Sequence, residues 1–326
     1  MRAITFEQYG PPTVLELRNV DIPTPGNDEV LIRVRAAEAT KSDCELRSFK
    51  FAVKWFWLPL RLGFGIRKPR RNILGGYFAG EIAAVGSEIT RLAIGDEVFG
   101  CAGLRMGAYA EYLALPESFT IVAKPACMSF EEAAAVPLGG LNALHFMKRA
   151  KVQPAERVLI NGAGGSIGAH AVQIAKSMGA EVTAVDSAIK EAMLRRIGAD
   201  HFIDYTKERF AASGRTYDVI LDMVARSSYR DCIRSLSANG RYLKANPRVT
   251  DMILSVITTR FTDKTAVFAF ARETKAELTE LKVMIDDGKI TSIVDEVFSM
   301  VQAAEAHRRV EAEQRRGAIV LAIGAE

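Results

Sequence analysis

Ala163, Gly165 and Gly168 are spaced A-x-G-x-x-G, and Asp186 follows 23 residues after Ala163. Residues without bulk at that spacing let a backbone turn come close to an anion, and the free N–H groups opening a helix attract it. A carboxylate about twenty residues further on stands where it accepts from ribose hydroxyls. Together these residues suit a dinucleotide, held by its pyrophosphate and its adenosine ribose. Such a site needs a strand, a tight turn, a helix and a second strand. The segment from Arg157 to Ser187, RVLINGAGGSIGAHAVQIAKSMGAEVTAVDS, supplies them in that order. Val158, Leu159 and Ile160 form the short apolar run of a strand buried on both faces. Ile167, Ala171, Ile174, Ala175 and Met178 share one face of a helix. Val182 to Val185 read as the second strand, ending at Asp186. The competing reading is an ordinary strand–turn–helix without a ligand.

The rest of the chain frames this unit. In the N-terminal third, 14–17, 30–34, 78–85, 97–99 and 108–115 read as strands. Turns fall at Gly10-Pro11-Pro12, Pro23-x-Pro25-Gly26 and Gly95-Asp96. From about Ser129 the period changes, with helices expected at 131–136 and 141–149. Strands at 157–160, 181–185, 201–203, 219–221 and 241–243 then alternate with helices at 189–197 and 227–236. That alternation predicts a parallel, doubly wound sheet. The tail reads as helices at 275–286 and 301–311, then a strand at 318–322. There are no repeats and no low-complexity linker.

At 326 residues the chain is long enough for two full-sized cores. Its 43 basic and 39 acidic residues leave a net charge of +4, too balanced to argue for nucleic acid or a membrane by itself. Cys44, Cys101, Cys127 and Cys232 are widely spread and read as free thiols in a reducing compartment. The start, MRAITFEQYG, lacks an apolar signal core, and no apolar run approaches a membrane span. A cytoplasmic protein is expected.

Several further segments carry a resemblance that covers nearly the whole chain. They are Tyr9-Gly10-Pro11 with Val14 to Leu17, Ile73 to Gly80 through Val85-Gly86, and Gly95 to Gly100. Asn161 to Gly168 and Gly198 to Tyr205 complete the set. With these the sequence resembles the medium-chain dehydrogenase/reductase superfamily, in its zinc-free quinone-oxidoreductase-like, or zeta-crystallin-like, branch. The resemblance implies an α/β protein with two units. A GroES-like β-rich substrate domain would span 1–123 and 265–326, and a Rossmann domain with a doubly wound parallel sheet would span 124–264. It also implies a homodimer, with the active site in the cleft between the domains.

Zinc-dependent relatives hold the catalytic metal with Cys, His and Cys or an acid. The matching positions here are Thr40, Gly76 and Leu138, none of which replaces a thiolate or an imidazole. The four closely spaced cysteines of a structural zinc lobe are also missing near Cys101, and the four histidines are scattered. No metal is expected. Without a Lewis acid, what remains is hydride transfer from a reduced nicotinamide to an electron-poor acceptor, with hydrogen bonds to the oxygen that gains charge. A quinone or an α,β-unsaturated carbonyl fits. The candidate donors are Thr40, Ser42 and Tyr77, and Asp43 matches an acid that orients its neighbours. Thr40 stands where relatives carry Asn, and Tyr77 where they carry Asp. The alternatives are that Thr40 and Ser42 cap local backbone and that Tyr77 is a packed aromatic.

For the cofactor, the resemblance implies contacts from Ala163, Gly164, Gly165, Ser166, Ile167 and Gly168, with Asp186 and Lys190 at the ribose. It adds Tyr205 by the adenine, Val224, Ala225 and Ala245 after later strands, and Phe268 by the nicotinamide. Lys41 follows the first metal position and either supplies a point charge to the pyrophosphate or is a solvated surface lysine. Asp186 favours NAD(H), since a carboxylate repels a 2′-phosphate, while the nearby Lys190 keeps NADP(H) open.

One segment is unusual. Residues 46–80 hold eight basic side chains and no acid, interleaved with aromatics that include both tryptophans. It reads first as a lid whose aromatics wall a pocket for a flat, apolar substrate. A subunit contact and an anionic membrane surface are the other readings, and Pro59 weakens the last. The reading as a whole is a soluble NAD(P)H-dependent quinone or enone reductase. Alcohol or aldehyde dehydrogenase-like activity and a non-catalytic, RNA-binding cofactor sensor are the alternatives; the run Arg67–Arg71 is the one support for RNA.

Overall fold

The computed structural model describes residues 1–51, 57–268 and 271–324. Strands β1 (Arg2–Thr5) and β2 (Glu16–Asn19) form a small antiparallel pair. β3 (Glu29–Ala39) runs through the middle of a second sheet, and α1 (Lys41–Ser48) starts directly at its end. α2 (Trp57–Phe64), β4 (Tyr77–Val85), β5 (Glu97–Cys101), β6 (Tyr112–Pro116) and β7 (Thr120–Ala123) complete the N-terminal region.

The alternating part follows. In chain order it comprises α3 (Phe130–Ala134), α4 (Val136–Ala150), β8 (Arg157–Asn161), α5 (Ser166–Ser177), β9 (Glu181–Asp186) and α6 (Glu191–Arg196). Then come β10 (His201–Asp204), β11 (Tyr217–Asp222), α7 (Tyr229–Arg234), β12 (Leu236–Lys244), α8 (Val249–Phe261) and β13 (Thr265–Phe268). Among the described residues these strands form one parallel sheet in the order β10-β9-β8-β11-β12-β13. Val158, Leu159 and Ile160 have no exposed surface, as a strand covered on both faces requires. The order reverses between β8 and β11, so a crevice opens beyond their C-terminal ends.

The tail holds α9 (Lys275–Asp286), β14 (Val294–Ser299), α10 (Ala303–Glu311) and β15 (Ala318–Ala322). β15 lies antiparallel to β3, returning the chain to the first sheet, whose order is β14-β15-β3-β4-β5-β7 with β6 also beside β3. The two sheets share one apolar core. Ala36, Ala79 and Phe99 of the mixed sheet and Ile160, Ala171 and Val172 of the parallel unit belong to the same buried cluster, with α3 and α4 between them. No helix among the described residues is long and apolar enough to cross a membrane.

A GroES-like β-rich unit and a Rossmann-like parallel sheet are therefore present, but several expected boundaries move. The parallel sheet runs past residue 264, because β13 pairs with β12. The expected strand at 108–115 begins only at Tyr112, and the expected helix at 227–236 ends at Arg234 so that β12 can start. Val14 belongs to a short turn after Pro12, and β2 follows it. Helix α8 has no sequence-level signal. Val249, Ile253, Val256 and Ile257 point outward and are exposed, while Asp251, Ser255 and Thr258 are buried. Its polar face is the inner one, the reverse of the usual amphipathic pattern.

That inversion has an electrostatic cause. Lys244, at the end of β12, is 1% exposed, and its Nζ lies 3.1 Å from Asp222 Oδ2 and 3.8 Å from Asp251 Oδ2. Ser227 Oγ accepts from the same ammonium at 2.9 Å, and Tyr242 donates to Asp222 at 2.7 Å. A buried lysine thus ties α8 to the ends of β11 and β12. Replacing Lys244 by Met leaves the buried Asp222 without its counter-charge, while Asp251 keeps Arg248 at 3.2 Å, and a loss of about 3–5 kcal/mol in folding stability is expected. Urea denaturation of the two proteins measures it; a loss below about 1 kcal/mol would show that the pair does not hold α8.

Candidate active site

β8 ends at Asn161, and the chain turns through Gly162 to Gly165 before α5. Glycine at 168 is dictated by space. A Cβ on Gly168 would lie 2.4 Å from the Gly162 carbonyl oxygen and 2.6 Å from Ala163 Cα, so only glycine lets α5 sit against the turn. A Cβ on Gly164 would lie 2.2 Å from Lys190 Cδ. α5 has no side-chain cap at Gly165, which leaves its first N–H groups available to a ligand. Ala163 and Ser166 are buried, and Ile167 is partly exposed beside them.

Asp186, at the end of β9, faces this turn. Its Oδ2 accepts from Gly164 N–H at 2.7 Å, and its Oδ1 accepts from Ser187 N–H at 2.8 Å. Lys190 lies across Gly164 with its Nζ 2.9 Å from Oδ1, and both side chains are almost wholly buried. The carboxylate expected to stand open for ribose hydroxyls is therefore already tied to the turn, with lone pairs still to offer. The remaining expected contacts gather at the same edge. Tyr205 is exposed just after β10, and its N–H donates to the Asp186 carbonyl at 3.2 Å. Val224 fills the space a side chain at Gly162 would need and donates its N–H to Asp222, while Ala245 N–H donates to the Asp222 carbonyl. Ala225 is partly exposed, and Phe268 is the last residue of β13.

The C-terminal loop closes on the turn from the other sheet. Gly317 N–H donates to the Gly164 carbonyl at 3.0 Å, and Gly165 and Gly317 form a parallel bridge. The same loop carries Glu313 and Arg315. Lys41, expected either at the pyrophosphate or in solvent, is exposed and ion-paired with Glu313. That bond holds Glu313 below the usual carboxylate range, with Arg315 and Lys190 contributing. Three cations thus act on Glu313, in the loop that meets the turn at Gly317, a field that suits an anion.

The catalytic candidates do not all survive. Thr40 is the N-cap of α1 and forms a reciprocal capping box with Asp43. Its hydroxyl donates to Asp43 Oδ2 at 2.6 Å, so its one proton is already engaged, and the expectation of a free donor there is corrected. Asp43, 1% exposed, also accepts from Gly75 N–H at 3.0 Å, and burial pushes its pKa up. It thereby ties the start of α1 to Gly75. Ser42 is exposed on the first turn of α1. Tyr77, at the start of β4, donates its hydroxyl to Glu273 Oε1 at 2.6 Å. Burial, and then the Glu273 charge, push Tyr77 well above the ordinary phenol range, so it remains a proton carrier. Burial likewise raises Glu273, while its bond to Tyr77 opposes this.

Sequence reasoning missed Glu38, Glu273, Arg315 and Lys244. Glu38 lies on β3, two residues before Thr40, and is 2% exposed. An acid inside an otherwise apolar strand end was the available signal. The basic segment packs partly as a satellite of the mixed sheet. Arg61 stacks at 4.4 Å over both Tyr9 and Phe49, Phe64 is buried, and Arg71 donates to the Leu104 carbonyl. Trp57, Leu58 and Leu62 are exposed, and Lys54, Trp55 and Phe56 lie outside the described residues. A cavity of about 700 Å³ lies at the far end of α5, lined by Gln173, Lys176 and Arg196, away from the turn. Among the described residues no three His, Cys, Asp or Glu side chains gather as a metal site, and the donor set at Thr40, Gly76 and Leu138 does not fit zinc.

Comparison with known proteins agrees with this geometry. Residues 26–126 match the alcohol dehydrogenase GroES-like domain family, and residues 197–321 the zinc-binding dehydrogenase family. A quinone oxidoreductase of Pseudomonas aeruginosa is 30% identical over 98% of this chain and 99% of its own. An NADPH-dependent alkenal/one oxidoreductase of Arabidopsis thaliana is 28% identical over 98% of this chain and 79% of its own. The solved structure of the quinone oxidoreductase from Coxiella burnetii superposes with a TM-score of 0.88 at 29% identity, covering 99% of each chain. A side-chain-free turn at a helix N-terminus, a second sheet that returns to cover it and relatives matched end to end leave one conclusion. The chain belongs to the medium-chain dehydrogenase/reductase superfamily, in its quinone-oxidoreductase-like branch.

Proposed function

We propose that this protein is a zinc-independent NAD(P)H-dependent reductase that passes hydride to a quinone or an α,β-unsaturated carbonyl. The observation that carries the proposal is the dinucleotide-shaped turn at Gly164–Gly168, facing a cleft whose metal positions hold Thr40, Gly76 and Leu138. When bound, the reduced nicotinamide supplies the hydride. The chain supplies the rest. The N-terminus of α5 and the cations Lys41, Lys190 and Arg315 hold the diphosphate, with Lys41 and Lys190 exchanging their carboxylate partners for it in part. Val224, Ala225, Ala245 and Phe268 flank the nicotinamide end. Tyr77 is the donor toward the acceptor oxygen, its hydroxyl leaving Glu273 for that oxygen when substrate is bound. The segment around Trp57 and Leu62 walls the apolar substrate.

For the cofactor we favour NAD(H), because Asp186 both faces the turn and neutralises Lys190. Metal-stripped protein is expected to oxidise NADH faster than NADPH with quinones or enones. Turnover of aldehydes alone, and only after zinc is returned, would instead support the alcohol dehydrogenase-like reading. Replacing Tyr77 by Phe is expected to lower kcat by about 10²-fold, the usual scale for one positioned proton donor, with the KM for NADH unchanged. A variant with wild-type kcat would remove Tyr77 from the chemistry.

We also infer a homodimer. Among the described residues β13 pairs on one side only, and α8 beside it exposes Ile253, Val256, Ile257 and Phe261. A twofold partner would cover both the open edge and the apolar helix face. Sedimentation should show a dimer, and the double substitution Ile257→Asp and Phe261→Asp should yield a folded monomer. A wild-type monomer at micromolar concentration would end that reading.

A further inference from the structure

Glu38 is the most unusual group in the cleft. It stands near the C-terminal end of β3, 2% exposed, and its Oε2 has no hydrogen-bond partner among the described residues. The side chain faces the first turn of α5, where the buried Ser166 hydroxyl is its polar neighbour but completes no hydrogen bond with it. Two polar atoms are therefore stranded at the helix N-terminus that the proposed function assigns to the pyrophosphate. Stranded groups of this kind are costly unless a ligand completes them.

A carboxylate and a diphosphate at one helix terminus repel each other. An un-ionised carboxyl, by contrast, has an O–H to donate. We propose that Glu38 binds the dinucleotide as the neutral acid, donating a hydrogen bond to the anionic group seated at the N-terminus of α5, so that cofactor binding carries one proton from solvent onto the protein. This rests on the dinucleotide reading of the turn.

The surroundings agree. Burial raises Glu38 to about 8, opposed by Ser166 and by Arg315 from the C-terminal loop and aided by Asp43 from α1. Tyr77 of β4, Cys101 of β5 and Tyr109 also face it, and burial holds all three protonated and uncharged. His170 of α5 contacts Ser166 and is pushed down, toward the neutral ring. Arg315 is thus the one cation among these neighbours. The arriving anion raises Glu38 further, so the free protein must take up the proton above about pH 8 and already holds it below.

The test is NADH binding followed by calorimetry at pH 8.5 in two buffers of different ionisation enthalpy, with NADH fluorescence from pH 7 to 9. The wild type should take up between about half a proton and one proton at pH 8.5, and its affinity should fall about tenfold from pH 7 to 9. Glu38→Gln should bind with a flat pH profile and no proton uptake at pH 8.5, and without cofactor it should melt higher than wild type at that pH. The sign follows because a raised carboxyl destabilises the folded apoprotein progressively as pH rises from the ordinary carboxyl range to about 8. NADH binding by the wild type without proton uptake would overturn the proposal, and so would uptake that persists in the variant. If the variant does not fold, the wild-type proton count decides alone. If the wild type does not bind NADH at all, the dinucleotide reading itself falls, and this inference with it.

Discussion

A backbone without side chains at one point lets everything else in the structure meet. Gly164 is crossed by Lys190, held by Asp186 and bonded to Gly317, and Gly168 lies against the turn it follows. Three contacts from three parts of the chain converge on a few atoms, and a Cβ on Gly168 would collide with the backbone of the turn. The mixed sheet returns to the parallel one at that same spot. The cleft is thus defined by a steric condition before any of its chemistry is considered.

Electrostatics then fills the space that sterics leaves. Lys41 and Lys190 are each paired with a carboxylate, Glu313 and Asp186, and the charge of Arg315 acts on both Glu38 and Glu313. Such an arrangement keeps buried charge tolerable while the site is empty and lends its cations to an incoming anion at little reorganisation cost. The substrate side is built differently. Burial keeps Tyr77, Tyr109 and Cys101 protonated, so the interior beside Glu38 holds neutral side chains there.

The same economy appears away from the site. Lys244 turns the polar face of α8 inward and its apolar face outward, so a helix that looks misoriented by hydropathy alone is consistent with its ion pairs. Thr40 shows the complementary case. Its type and position suggest a catalytic hydroxyl, yet the three-residue spacing to Asp43 makes it a helix cap, because a donor with one proton serves only one acceptor at a time.

By itself the sequence determined the fold class, the glycine turn, the strand ends around it and the residue types at the three positions where zinc-dependent relatives bind metal, because each depends on local spacing or on chemical identity. Periodicity of 2 and 3.6 residues marks strands and helices wherever one face is buried, and it was silent at α8, where β-branched residues face outward. Only the tertiary structure decided which side chains are already occupied. That Lys41 meets Glu313, that Tyr77 meets Glu273 and that Glu38 reaches Ser166 are encounters between residues far apart in the chain. No spacing rule encodes them. They follow from β15 returning beside β3 and from the low-dielectric interior that the two sheets close between them.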